Sequence, residues 1–146
     1  MAEKEIPHDV FGKLAWDADY ERYTTTYGDG DDAFHLSFEA PSREQIDTLL
    51  SAAAQLWKNR LEWLVQWREA CFKYYMEKLK DAWYEGDEPL DIDVFNAKLG
   101  QPASIEFMWD DGKLRYMITG MDDDLVGDHC LEAHGTDLRP DEVCLT

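Results

Sequence analysis

Apolar residues recur at helical spacing over the longest uninterrupted stretch of the chain, Ser42 to Glu85, which contains neither glycine nor proline. At about 100° per residue, one broad stripe runs from Ile46 and Leu50 through Trp57, Leu61, Leu64 and Val65 to Tyr75 and Leu79, and predicts a core-facing surface. A second stripe, Leu49, Leu56, Trp63, Trp67, Ala70 and Tyr74, runs along another side, and Glu62, Gln66, Glu69, Lys73 and Glu77 are left as the polar face. A helix apolar around most of its girth must be covered on two sides or keep one side for a partner. The second stripe therefore carries two readings: core, which is the commoner outcome at helical spacing, or an exposed aromatic anchor of Trp63, Trp67 and Tyr74.

The helix start is marked by Pro41, then Ser42 with Gln45 three residues on, the capping-box arrangement. A straight helix over this stretch would be about 66 Å long, against a radius of gyration of about 15 Å for a chain of this size. The polar triplet Lys58, Asn59, Arg60 is where a bend or break is expected.

Alternation with period two dominates on either side. Three strands are expected before the helix, over Phe11 to Trp16, Tyr20 to Tyr27 and Phe34 to Phe38, the last with His35 on the solvent side. After it, Asp91 or Asp93 caps a short helix that stops at Gly100. Ala103 to Thr119 reads as a hairpin around Asp111 and Gly112, a type I′ turn. That register sets Ile105 opposite Ile118, Phe107 opposite Tyr116 and Trp109 opposite Leu114, all on one face, so turn chemistry and hydrophobic pairing agree. Asp122 to Asp128 is expected to be an acidic loop, His129 to Ala133 a last strand, and the rest from Gly135 irregular. Strands, then helices, then strands predict an α+β fold: an antiparallel sheet packed against one long, bent central helix plus a short helix. The whole chain, residues 1–146, is expected to be one domain, with its core over about 10–120 and an acidic loop and tail over 121–146.

From composition a reducing compartment and a soluble, cytoplasmic chain are expected: three cysteines at wide spacing make no disulfide framework, the N-terminal residues show no apolar leader pattern, and no apolar run has the length of a membrane span. Charge changes the picture more. The helical stretch holds seven basic and seven acidic residues, so the flanks carry the entire net charge of −18. Acid gathers at Asp29, Asp31 and Asp32, at Asp87, Glu88, Asp91 and Asp93, at Asp110 and Asp111, and from Asp122 to Asp128. Such a field disfavours direct contact with nucleic acid or anionic membranes and favours a basic protein partner.

Phe11-Gly12-Lys13-Leu14-Ala15-Trp16-Asp17 with Tyr20 and Tyr23, the long aromatic helix, the acidic turn from Trp83 to Pro89, and Ile105-Glu106-Phe107-Met108-Trp109-Asp110-Asp111-Gly112 together resemble a family of small acidic bacterial proteins known only as a domain of unknown function. The resemblance spans roughly residues 10 to 120, and its motifs are short. That family is similar to the immunity proteins encoded beside polymorphic toxins. The resemblance implies an inhibitor of a cognate toxin and carries over no catalytic residue.

Candidate chemistry is thin. His129, Cys130, His134 and Cys144 are zinc-ligand types at a spacing that fits no standard site. Asp122 to Glu132 fails as a calcium loop, because Val126 stands where a ligand belongs and Ala133 where the bidentate Glu belongs. No catalytic signature, phosphate loop, metal site or cofactor motif emerges, so a binding protein is expected rather than an enzyme, with a small hydrolase using an Asp/Glu or His129-centred site as the weakest reading. The expectation is an acidic inhibitor that occludes a toxin's active site, using the acids at Asp29, Asp31, Asp32, Asp87, Glu88, Asp91, Asp93, Asp110 and Asp111, and Trp63, Trp67 and Tyr74 if exposed. The alternative is a DNA mimic that inhibits a defence or restriction nuclease, its carboxylates imitating phosphates.

Overall fold

A computed structural model describes residues 4–30 and 33–146. Eight strands form a single sheet in sequence order: β1 (Glu5–His8), β2 (Gly12–Asp17), β3 (Arg22–Tyr27), β4 (Phe34–Glu39), β5 (Ser104–Asp110), β6 (Lys113–Gly120), β7 (Leu131–Gly135) and β8 (Glu142–Leu145). Between β4 and β5 lie α1 (Arg43–Lys58), α2 (Arg60–Lys78), the single turn α3 (Lys80–Trp83) and α4 (Ile92–Leu99), and a second single turn, α5 (Asp123–Val126), joins β6 to β7. The fold is thus mixed, with helices on one face of the sheet.

The sheet is not wholly antiparallel, as the sequence pattern suggested. β4 and β5 pair in parallel, with Leu36 opposite Ile105 and Phe38 opposite Phe107. Parallel neighbours need a crossover, and the helical segment supplies it by leaving the end of β4 and returning to the start of β5. That return lays α1 over β4, β5 and β6, and α2 against β7, β8 and α4.

One continuous helix is likewise not found. Asn59, at φ −106° and ψ 26°, separates α1 from α2 within the polar triplet where a break was expected. Its side-chain amide donates to the Gln55 carbonyl at 3.4 Å, the local backbone competition that makes Asn a poor interior helix residue. Eight strands span about 34 Å across, whereas α1 and α2 end to end would measure about 54 Å. The break lets both halves stay on the sheet. At the start of α1 the Ser42 hydroxyl accepts from the Gln45 backbone N–H, while the Gln45 side chain meets that hydroxyl rather than the Ser42 backbone.

The β5–β6 hairpin has the expected register, from Ser104 opposite Thr119 to Asp110 opposite Lys113. Its turn residues Asp111 and Gly112 lie at φ 53° and 75°, as a type I′ turn requires. Asp91 caps α4 by accepting from the Val94 N–H at 2.9 Å, and Gly100 ends it at φ 64°.

Two strands escape the sequence pattern, and they are the two edges. β1 has one buried residue, Ile6, and contains Pro7, which a sheet tolerates at an edge. β8 belongs to the stretch expected to be an irregular tail, and the expected strand at His129–Ala133 is displaced to β7. Asp122, expected to open a loop, caps α5 instead by accepting from the Asp124 and Leu125 N–H groups. Leu125, Val126, Leu131 and Ala133 are fully buried, so this end of the chain completes the core.

Inside, aromatic rings link sheet to helices. Phe38 stacks on Phe107 at 5.2 Å, Phe107 meets Trp63 at 5.8 Å, and Trp63 meets the edge of Tyr116 at 4.9 Å. Trp63 and Trp67 are both 0 % exposed, and Tyr74 is half-buried against the core. The second helical stripe is therefore core, and the aromatic anchor is withdrawn. The first stripe needs the opposite correction: Leu61 is 79 % exposed and Val65 50 %.

Candidate functional site

The sheet separates the acid clusters rather than gathering them. Asp110 and Asp111 sit at the end of the sheet where β4 and β5 finish, together with the β2–β3 turn, and both are exposed. Asp29 lies in the β3–β4 connection at the opposite end, about 20 Å away by the length of a six-residue strand. Asp31 and Asp32 lie outside the described residues.

Asp87, Glu88, Asp91 and Asp93, all exposed, form a third location beside α4. Here the fold does join distant segments. Lys98 on α4 donates to Asp124 of α5 at 2.7 Å and lies 3.5 Å from Glu88. The bond to Asp124 raises the Lys98 pKa above its ordinary value. Tyr84 donates to the Glu88 carbonyl at 2.7 Å, and the Glu85 N–H donates to the Asp124 carbonyl at 2.9 Å. Several acids of this group thus hold the loop in place: Asp91 as a cap, Glu88 and Asp124 as partners of one lysine.

At the hairpin end the chain builds a recess of about 510 Å³, lined by Trp16, Glu21, Glu39, Ala40, Pro41, Met108, Trp109 and Asp110. The two indoles and Glu21 have local causes. Strand alternation turns Trp16 and Trp109 to the helix-bearing face, in line with Leu14 and with Phe107, but α1 begins only at Arg43, after Pro41, and leaves both indoles partly open. The Trp16 ring is steadied by Tyr23, its cross-strand neighbour, at 4.9 Å. Asp17 opens the β2–β3 turn by accepting from the Asp19 and Tyr20 N–H groups at 3.0 and 3.4 Å. The turn closes on Glu21 at φ 53°, a left-handed conformation that costs a non-glycine residue about 1 kcal/mol.

Electrostatically the recess is an anion. Glu21 and Glu39 are exposed and form no ion pair among the described residues, and Asp110 has a loose surface pair with Arg115 at 3.7 Å. Alternation puts the two indoles on the helix-bearing side and Glu39 and Asp110, in line with Met108, on the outer side, so the recess wraps around the end of the sheet; indoles that attract a cation and carboxylates that accept its hydrogen bonds make this edge suit a Lys or Arg side chain. Of these residues the sequence reading named Asp110 as a site residue. Trp109 is its neighbour on β5, whereas Trp16, Glu21 and Glu39 come from three other segments, which the successive pairings of β2, β3, β4 and β5 bring together.

The remaining reactive types do not assemble into a centre. Among the described residues no three His, Cys, Asp or Glu side chains are grouped to hold a metal ion. His129 lies edge-on to Trp83 at 4.9 Å with Nδ1 3.1 Å from the Thr146 carbonyl, whereas Cys144 sits across from Glu132. Cys71 is fully buried, and burial pushes its thiol up to about 12. On the outer face of the sheet, Arg22 and Glu106 pair across β4, above a buried Ser37. No helix among the described residues is long and apolar enough to cross a membrane. Compared with protein-family models, with curated proteins and with solved structures, the chain matches none.

Proposed function

We propose that the chain is a protein-binding inhibitor that captures a basic partner, and that it acts as an immunity protein neutralising a cognate bacterial toxin by covering its active site. The observation that carries this reading is the recess at the hairpin end, where Trp16 and Trp109 stand beside Glu21, Glu39 and Asp110. A net charge of −18 supplies the long-range attraction that speeds encounter with a basic surface, and the two partly open indoles, desolvated when a partner covers them, supply the anchor that a field alone lacks. The exposed acids Asp87 and Asp93 extend the same field at a distance. A DNA mimic is less well supported, since Asp29 and Asp110 stand at opposite ends of the sheet rather than in one row of phosphate-like charges.

Affinity capture of the tagged chain from its native host, at low and high salt and with nuclease added, tests this reading. A stoichiometric basic protein that survives nuclease and is retained less well at high salt supports it. Recovery of the chain alone, or of a nuclease whose capture is competed by DNA, would overturn the toxin-inhibitor reading.

A further inference from the structure

The exposed apolar residues of α2 carry a second, independent site of opposite charge. Along this helix Arg60, Leu64 and Arg68 form one row at four-residue spacing, and Leu61 and Val65 form the row beside it. These five residues face Tyr27, Gly28, Phe34 and Gln101 across a groove of about 400 Å³. Leu61 is 79 % exposed, Val65 50 % and Tyr27 40 %, so the groove presents open apolar surface.

Both arginines are held in position while keeping donors free. The Arg60 guanidinium lies over the Tyr27 and Trp57 rings at 5.8 and 5.6 Å. Arg68 lies over Trp67 at 5.6 Å, and its Nε donates to the Gly100 carbonyl at 3.3 Å. Neither forms an ion pair among the described residues, although acids outnumber bases 32 to 14 in the chain. An unpaired, preorganised guanidinium at each end of an apolar strip lowers the ordering cost of binding a carboxylate pair with an apolar group between.

Eight helical residues separate Arg60 from Arg68, about 12 Å along the axis. In an extended chain, residues i, i+2 and i+4 point the same way, and the outer two stand about 13 Å apart. We infer that this groove docks an extended acidic peptide segment of a protein partner, of the form Glu-x-Leu-x-Glu, with its carboxylates on Arg60 and Arg68 and its apolar side chain on Leu61, Leu64 and Val65. A second copy of this chain fits less well, because two-fold self-association about the centre of the groove would set Arg60 of one copy against Arg68 of the other. Charges beyond about 8 Å are largely screened at physiological ionic strength, so the net field weighs less on an acidic ligand than Arg60, Arg68 and Asp29, the residue after Gly28 of the groove lining.

The test is fluorescence anisotropy of the full chain with a labelled nine-residue peptide centred on Glu-x-Leu-x-Glu, against an analogue with both Glu replaced by Gln, at physiological salt. The acidic peptide should bind at least tenfold more tightly. Arg60→Gln with Arg68→Gln, and separately Leu61→Ser with Val65→Ser, should each weaken it at least tenfold while circular dichroism stays unchanged. Leu61 and Val65 stand in solvent, so the second pair reports on binding without loss of fold. Equal binding of the two peptides, no saturable binding, or affinity unchanged in both double variants overturns the proposal. So does a dimer in sedimentation that Leu61→Ser with Val65→Ser dissolves, or saturable binding of decanoate without any binding of the peptide.

Discussion

Gly120, the last residue of β6, lies close to Trp67 of α2 and Leu99 of α4, and replacing it with alanine measures how tightly they are packed. A Cβ at this position would stand 2.8 Å from Leu99 Cδ1 and 2.9 Å from Trp67 Cζ2, about 1 Å inside ordinary contact. Gly120 does not lie at positive φ, so alanine can adopt the backbone, and reduced freedom of the unfolded chain favours the variant by about 0.5 kcal/mol. The clash opposes this. Leu99 is 3 % exposed and Trp67 0 %, so neither can swing into solvent, and overpacking of this kind costs about 1 to 3 kcal/mol. The net expectation is a loss of about 1 to 2 kcal/mol, or about 3 to 6 °C in Tm for a chain of this length. Leu99→Ala alone should cost about 2 to 5 kcal/mol through the cavity it leaves. Combined with Gly120→Ala it should cost at least about 1 kcal/mol less than the two losses added, because the new methyl group enters that cavity. Urea unfolding followed by circular dichroism gives all four stabilities from their midpoints and slopes. A Gly120→Ala variant as stable as the parent, or costs that add within about 0.5 kcal/mol, would refute the close approach of β6 to α2 and α4.

Trp63→Ala and Trp67→Ala should each destabilise by about 3 to 5 kcal/mol in urea unfolding, since both indoles are 0 % exposed; little change would return them to the surface. Leu61→Ser should alter stability by less than about 0.5 kcal/mol, while Leu64→Ser, one turn away at 7 % exposure, should cost about 2 kcal/mol or more, and equal effects would contradict the side of α2 that faces solvent. The Cys71 thiol titrates in the fold at about 12, against an ordinary 9.0, because its thiolate would be buried. A raised folded-state pKa contributes stability that is complete below the unfolded value and is lost as pH climbs through 9 toward 12, so this group should remove about 3 kcal/mol by pH 11. Burial raises Tyr75 and Tyr116 as well and adds loss of the same sign. Urea midpoints between pH 8 and 11 should therefore fall, and fall less steeply in Cys71→Ala; equal slopes would contradict the buried thiol.

Elements whose local signals agreed were legible in the sequence. In β5 and β6 the alternation of Ile105, Phe107 and Trp109 and the Asp111-Gly112 turn demanded one register, and the structure has it. Ser42, Asp91 and Gly100 marked helix ends through their own side chains or lack of one. Edge strands left no such mark: among the described residues β1 and β8 each have a single sheet neighbour, so little of either is buried and period two barely registers. The parallel pairing of β4 with β5 joins residues 35–39 to 104–108, and no local pattern encodes which way such distant strands run. Periodicity around a helix also could not say where cover stops, which is why Leu61 and Val65 read as core and Trp63 and Trp67 as a candidate surface. The charge that motivates the functional reading was plain in the composition. The recess that gives it a location was not, because Trp16, Glu39 and Trp109 meet only through three successive strand pairings.

The most direct test of the proposed function is inhibition, by the purified chain, of the product of the reading frame adjoining its gene. The account predicts that the neighbour is a toxin whose activity falls to background at one equivalent of inhibitor. It also predicts that Glu39→Lys with Asp110→Lys slows association at least tenfold at low salt, and that Trp16→Ser with Trp109→Ser speeds dissociation by a similar factor. Inhibition that is undiminished in both variants, or a neighbour whose activity the chain leaves untouched, would contradict it.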